Sequence, residues 1–144
     1  MKTFTLDEAQ SLLPVVESLL NRALEAKQAA GDLQEEMASL MRRVFVSGGM
    51  FLDIGAAQKQ KVTLEALVQR AKDALEEIDS IGVQIKDLDI GLLDFPCLLD
   101  GETVLLCWKR GEPRIEFWHR IEDGFAGRQP IDARFGGLAP EKLN

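Results

Sequence analysis

Two apolar series fix most of what this chain can become. Val16, Leu19, Ala23, Ala26, Ala30, Leu33, Met37, Leu40 and Val44 follow one another at alternating spacings of three and four residues. Beyond Ser47-Gly48-Gly49, the positions Ala57, Gln60, Leu64, Leu67, Ala71, Ala74, Ile78 and Ile81 repeat that spacing as far as Gly82. A spacing of this kind puts every member on one stripe of a helix, so each series predicts a long helix with a single apolar seam. The seams span 28 and 24 residues, about 42 and 36 Å of helix. With a glycine turn between near-equal lengths, the helices are expected to fold back as a coiled-coil-like antiparallel hairpin. One stripe per helix closes such a hairpin only in part, leaving apolar surface for the C-terminal segment or a second copy to cover. Val44-Phe45-Val46 and Met50-Phe51-Leu52, flanking Gly48-Gly49, add an apolar tip.

The start of the first helix is marked by Thr5-Leu6-Asp7-Glu8, a capping box in which the Thr5 hydroxyl and the Glu8 carboxylate satisfy each other's backbone amides. Pro14 removes a helical amide hydrogen. It predicts a stop near Leu12 with a new helix from Pro14, a kink being the milder alternative. Gly82 is the expected left-handed C-terminal cap.

After Gly82 the period shortens. Residues 92–99, 103–108 and 115–119 read as three strands joined by tight turns at Asp100-Gly101 and near Gly111, a three-stranded antiparallel meander. Pro96 places the first of these at an edge. The fold class is thus α+β, one domain over residues 1–131, helical to residue 83 and β-rich from 84, with residues 132–144 as a tail. Residues 122–131, with two glycines and a proline around Arg128, read as an ordered loop.

The balance of 17 basic against 24 acidic residues, a net charge of −7, has the wrong sign for a nucleic-acid surface. Neither part is a basic arm, since residues 1–86 carry 10 basic and 13 acidic side chains and residues 87–144 carry 7 and 11. No apolar run is long enough for a membrane span and the first residues lack a signal-peptide core, so a cytoplasmic location is expected. Cys97 and Cys107, the only cysteines, lack CxxC spacing and read as reduced core thiols.

The residue pattern resembles one family, the bacterial proteins grouped as domain of unknown function 2203. The resemblance rests on Phe4-Thr5-Leu6-Asp7-Glu8-Ala9 with Leu12-Leu13-Pro14, Gly82-Val83 with Lys86-Asp87, and Gly91-Leu92-Leu93-Asp94-Phe95-Pro96. It continues through Leu106-Cys107-Trp108-Lys109, Gly111-Glu112, Phe117-Trp118-His119 and Gly124-Phe125-Ala126-Gly127-Arg128-Gln129-Pro130-Ile131. The long helices match only in period. The resemblance implies no reaction, ligand or cofactor, and carries over no functional residue.

Four ligand-type side chains, Asp94, Cys107, Glu112 and His119, lie within 26 residues. A hairpin turning near Gly111 would offset Cys107 from His119 by roughly 13 Å along the strands, too far for one zinc ion. The expectation is therefore no metal and no cofactor. The same offset separates Cys107 from His119 as a catalytic dyad, and an Asp94 directly across from Cys107 would oppose thiolate formation. His119 is then expected as a polar-capped residue at a strand end. Arg128, flanked by Gly124 and Gly127 and near Trp118, His119 and Arg120, is the candidate ligand-binding group for a small anion. The competing reading pairs Arg128 with Asp94, Glu112 or Glu116, pinning its loop to the sheet. Trp108 reads as core, whereas Trp118 fits either core or a binding face. Taken together these features favour a non-enzymatic interaction or scaffold module, a homodimer through its helices with an unidentified protein partner, and the alternative is an anionic-ligand-binding protein or enzyme at Arg128, Arg120, His119 and Trp118.

Overall fold

A computed structural model describes residues 2–48 and 53–136 of the chain. The capping box forms as its residues dictate: the Thr5 amide donates to Glu8 Oε1 at 2.8 Å and the Glu8 amide to the Thr5 hydroxyl at 3.1 Å. From it runs α1, Leu6–Val46, one helix that carries Pro14 inside it. The stop expected near Leu12 does not occur. Ala9, Leu13, Val16 and Leu20 form a buried stripe on both sides of an exposed Pro14, and burying that stripe outweighs one missing hydrogen bond. Helix α2 spans Ile54–Ile81 and ends at Gly82, whose φ of +107° is the left-handed cap conformation.

The chain gathers into two compact units, residues 1–20 with 76 onward, and residues 21–75. The described residues of the second unit lie mainly in α1 and α2, and Gln60 of α2 donates to the Glu36 carboxylate of α1 at 3.3 Å. Its seam is incompletely covered. Ala23, Ala26 and Ala30 are buried, but Leu33, Met37, Leu40 and Val44 on α1 and Ala57, Leu64 and Leu67 on α2 are half-buried. Met41, Phe45, Val46, Ile54 and Val62 are exposed, Phe45 by 83%. Gly49, Met50, Phe51 and Leu52 of the expected tip lie outside the described residues.

The first unit is built on an antiparallel sheet of five strands rather than the expected three: β1 Gln84–Asp87, β2 Leu92–Leu99, β3 Glu102–Lys109, β4 Phe117–Arg120 and β5 Gln129–Pro130, in that spatial order. The two added strands are short and lie at the edges. The Asp100-Gly101 turn has positive φ at both residues, 52° and 81°, the backbone of a two-residue hairpin turn, and it sets Asp94 opposite Cys107 as the sequence predicts. Pro96 does not put β2 at an edge, because β1 pairs with residues 92–94. Beyond the end of β1, however, the Pro96 carbonyl is free to accept the Phe4 amide at 2.7 Å, so the proline half of the strand is a local edge closed by the segment before α1.

The second hairpin departs from the expected turn at Gly111. Cys107 pairs with Phe117 and Leu105 with His119, which centres the connection on Glu112 and leaves Arg110–Glu116 as a wide loop. Two side chains hold it open. Glu112 accepts the Lys109 amide at 2.8 Å, and Gln10 of α1 takes both main-chain groups of Ile115 at 2.9 and 3.0 Å, so Ile115 is bonded to α1 instead of joining β4. Trp108 is core and donates its indole N–H to the Glu112 carbonyl at 3.0 Å. Residues 133–135 form a short 3-10 turn at the head of the expected tail, and its buried Phe135 packs against Trp118 at 5.6 Å between ring centroids.

Candidate functional site

Alternation along a strand decides which side chains meet. Asp94 lies directly across from Cys107, and His119 lies across from Leu105, two residues along β3 from Cys107. All three therefore project from one face, and the Cys107 to His119 offset is two residues, roughly 7 Å at the Cα level rather than 13 Å. Their ligand-type atoms, Asp94 oxygen, Cys107 sulfur and His119 nitrogen, all fall within 4.8 Å of one another. The separation expected from a Gly111 turn is thus corrected. Moving the centre of a hairpin by one residue moves every cross-strand offset by two, and the expected turn was one residue early. Glu112 is not in this group, being drawn to Lys109 and Arg128.

The three side chains are buried, with Asp94 at 1% and His119 at 3% exposure. His119, near the end of β4, has a polar partner at each ring nitrogen: its Nε2 lies 3.1 Å from Asp94 Oδ1 and its Nδ1 lies 2.8 Å from the Arg120 carbonyl oxygen. A carbonyl only accepts, so Nδ1 carries a hydrogen and donates it. Nε2 then faces the Asp94 carboxyl oxygen at hydrogen-bonding distance, so each of these two buried side chains has the other as a polar partner.

Burial first, then the nearby Asp94 charge, pushes the Cys107 thiol from its ordinary 9.0 up to about 12, with Arg128 opposing and the hydrogen bond to Asp94 reinforcing the rise. Burial also raises Cys97. Both thiols are free and unreactive by the same physics, since the thiolate is the nucleophile. A small alkylating reagent at pH 8 is expected to label Cys97 and Cys107 only through unfolding, with rates that track added urea. Labelling in water as fast as that of an unfolded peptide, followed by mass spectrometry, contradicts this. Because the folded-state value of Cys107 is raised, its contribution to stability is complete below about pH 9 and is lost as pH climbs toward 12.

The residues expected around an anion are placed as follows. The Arg128 guanidinium contacts both Glu112 oxygens through one nitrogen, at 2.9 and 2.6 Å, and lies over the Phe117 and Phe125 rings at 4.0 and 4.7 Å. The amides of Gly127 and Arg128 are spent within the 3-10 turn, on the carbonyls of Gly124 and Phe125. Gly124 enters that turn at φ +75°. Trp118 is buried on the opposite face from His119, with Arg120 and Arg134 over its ring at 5.2 and 5.3 Å. Trp118 Nε1 and Arg128 Nε are buried without a hydrogen-bond partner among the described residues. Sequence reasoning proposed the Arg128 to Glu112 pair as one of three and missed the Asp94 to His119 pair, whose only signal was the β3–β4 register.

No curated protein and no solved structure matches the chain. A model of the DUF2203 family, described as an uncharacterised conserved protein, matches residues 2–131. That match takes in both helices, all five strands and every residue of the buried cluster, so the chain belongs to the uncharacterised family DUF2203.

Proposed function

We propose that the protein is a non-enzymatic interaction module that works as a homodimer through its helical hairpin. The observation that carries this reading is the half-covered seam: the spacing that buries Val16 to Ala30 continues through Leu33 to Val44 and Ala57 to Leu67 with nothing among the described residues to finish its burial. A second hairpin of the same kind supplies a matching stripe. Charge permits it, because residues 21–75 hold eight basic and seven acidic side chains, so the acidic excess of the chain lies elsewhere. Against catalysis stands the site chemistry, in which burial and the neighbouring Asp94 charge push the Cys107 thiol up and away from its nucleophilic form. The anion-binding alternative has less support, since Arg128 is already committed to Glu112.

Two free thiols fit a reducing, cytoplasmic setting. No described helix is long and apolar enough to cross a membrane. Sedimentation equilibrium at micromolar concentration is expected to give twice the chain mass, and Met41→Ser with Phe45→Ser is expected to weaken the dimer by at least about tenfold. A wild-type monomer at tens of micromolar, or a dimer indifferent to both substitutions, removes the basis for this function.

A further inference from the structure

Asp94, Cys107 and His119 contribute one oxygen, one sulfur and one nitrogen from three adjacent strands of a single sheet. We propose that they hold one zinc ion through Asp94 oxygen, Cys107 Sγ and His119 Nε2. The proposal rests on the sheet alone and is independent of the association through the helices.

Three observations carry it. First, the donors already lie within 4.8 Å of one another, whereas ligands of a tetrahedral zinc stand about 3.4–3.6 Å apart, so binding asks for a closing movement of about an ångström at rigid strand positions. Second, the Nδ1 hydrogen of His119 is fixed by the Arg120 carbonyl at 2.8 Å. That is the outer contact that sets a metal-binding imidazole in the right tautomer, and it directs Nε2 toward Asp94. Third, the three donors are all buried and each is of a different kind. Arg128 and Glu112 beside it compensate each other. The mixed sulfur, nitrogen and oxygen set favours zinc over magnesium or calcium, which take oxygen alone. Three protein ligands leave a fourth position for a water molecule.

The test uses untagged full-length protein, stripped with a chelator and dialysed, then titrated with zinc and with cobalt(II). Saturation at one equivalent is expected. Cobalt should give the sulfur-to-metal charge-transfer band of a tetrahedral thiolate site. At a hundredfold excess over Kd, zinc should raise the melting temperature by about 5–10 °C. Cys107→Ala should abolish the charge-transfer band, and Cys107→Ala or His119→Gln should weaken zinc by at least about 100-fold.

Should either variant fail to fold, X-ray absorption on the zinc-loaded wild type decides the matter: one sulfur at about 2.3 Å with nitrogen and oxygen near 2.0–2.2 Å is expected. An all-oxygen or all-nitrogen shell overturns the proposal. So does zinc binding that survives Cys107→Ala unchanged, an ion held elsewhere on the chain, or no saturable binding by about 10 μM.

Discussion

His119→Ala is expected to destabilise the metal-free protein by about 3–5 kcal/mol, measured as a lower urea midpoint at constant slope. The substitution leaves Asp94, buried at 1% exposure, without its imidazole partner, and opens a cavity where the ring stood. Asp94→Ala alone should cost a similar amount, because His119 Nε2 is then the orphan. The pair removed together should cost clearly less than the sum, by about 1–3 kcal/mol, which is the signature of groups that satisfy each other. Replacing both by leucine should recover further stability, as apolar packing often matches a buried ion pair. Costs below about 1 kcal/mol for either single variant, or strict additivity, show that the contact is incidental.

Arg128→Ala is expected to cost about 2–4 kcal/mol. Its partner Glu112 and the guanidinium are 21% and 12% exposed, so the full penalty of a sealed ion pair is discounted, and Glu112 keeps the Lys109 amide as a donor. To that the substitution adds the loss of the cation from between Phe117 and Phe125. Arg128→Lys should recover only part, because an ammonium does not stack flat on a ring. An anion site behaves in the opposite way. Little or no loss in Arg128→Ala, together with a wild-type melting temperature that climbs with millimolar phosphate but not with chloride at equal ionic strength, would establish ligand binding there and end the structural reading.

What the sequence made legible follows from how locally each feature is encoded. The capping box needs four residues and the Asp100-Gly101 turn two, so both, with the Asp94 to Cys107 pairing that the turn dictates, are read from the residues alone. The second hairpin is not encoded locally. Its register depends on Gln10, 105 residues away, holding Ile115, and on Glu112 reaching back to Lys109. A one-residue error there hid the cluster that includes His119. β1 and β5 escaped because four and two residues carry no usable period. Pro14 misled for the opposite reason: its local effect is real, and tertiary burial of Leu13 and Val16 overrides it.

The bonds that tie the beginning of α1 to the sheet also govern when this protein can finish folding. Phe4 waits for the carbonyl of Pro96, and Gln10 waits for the main chain of Ile115. During synthesis at about 5–20 residues per second, the first turns of the helix leave the ribosome about 5–20 s before their partners leave it. For that interval Phe4, Leu6, Ala9 and Leu13, all buried at the end, face solvent as an unpaired greasy helix start. The helix start can therefore be sealed only after β2 and the loop that follows β3 have emerged, however early it is made.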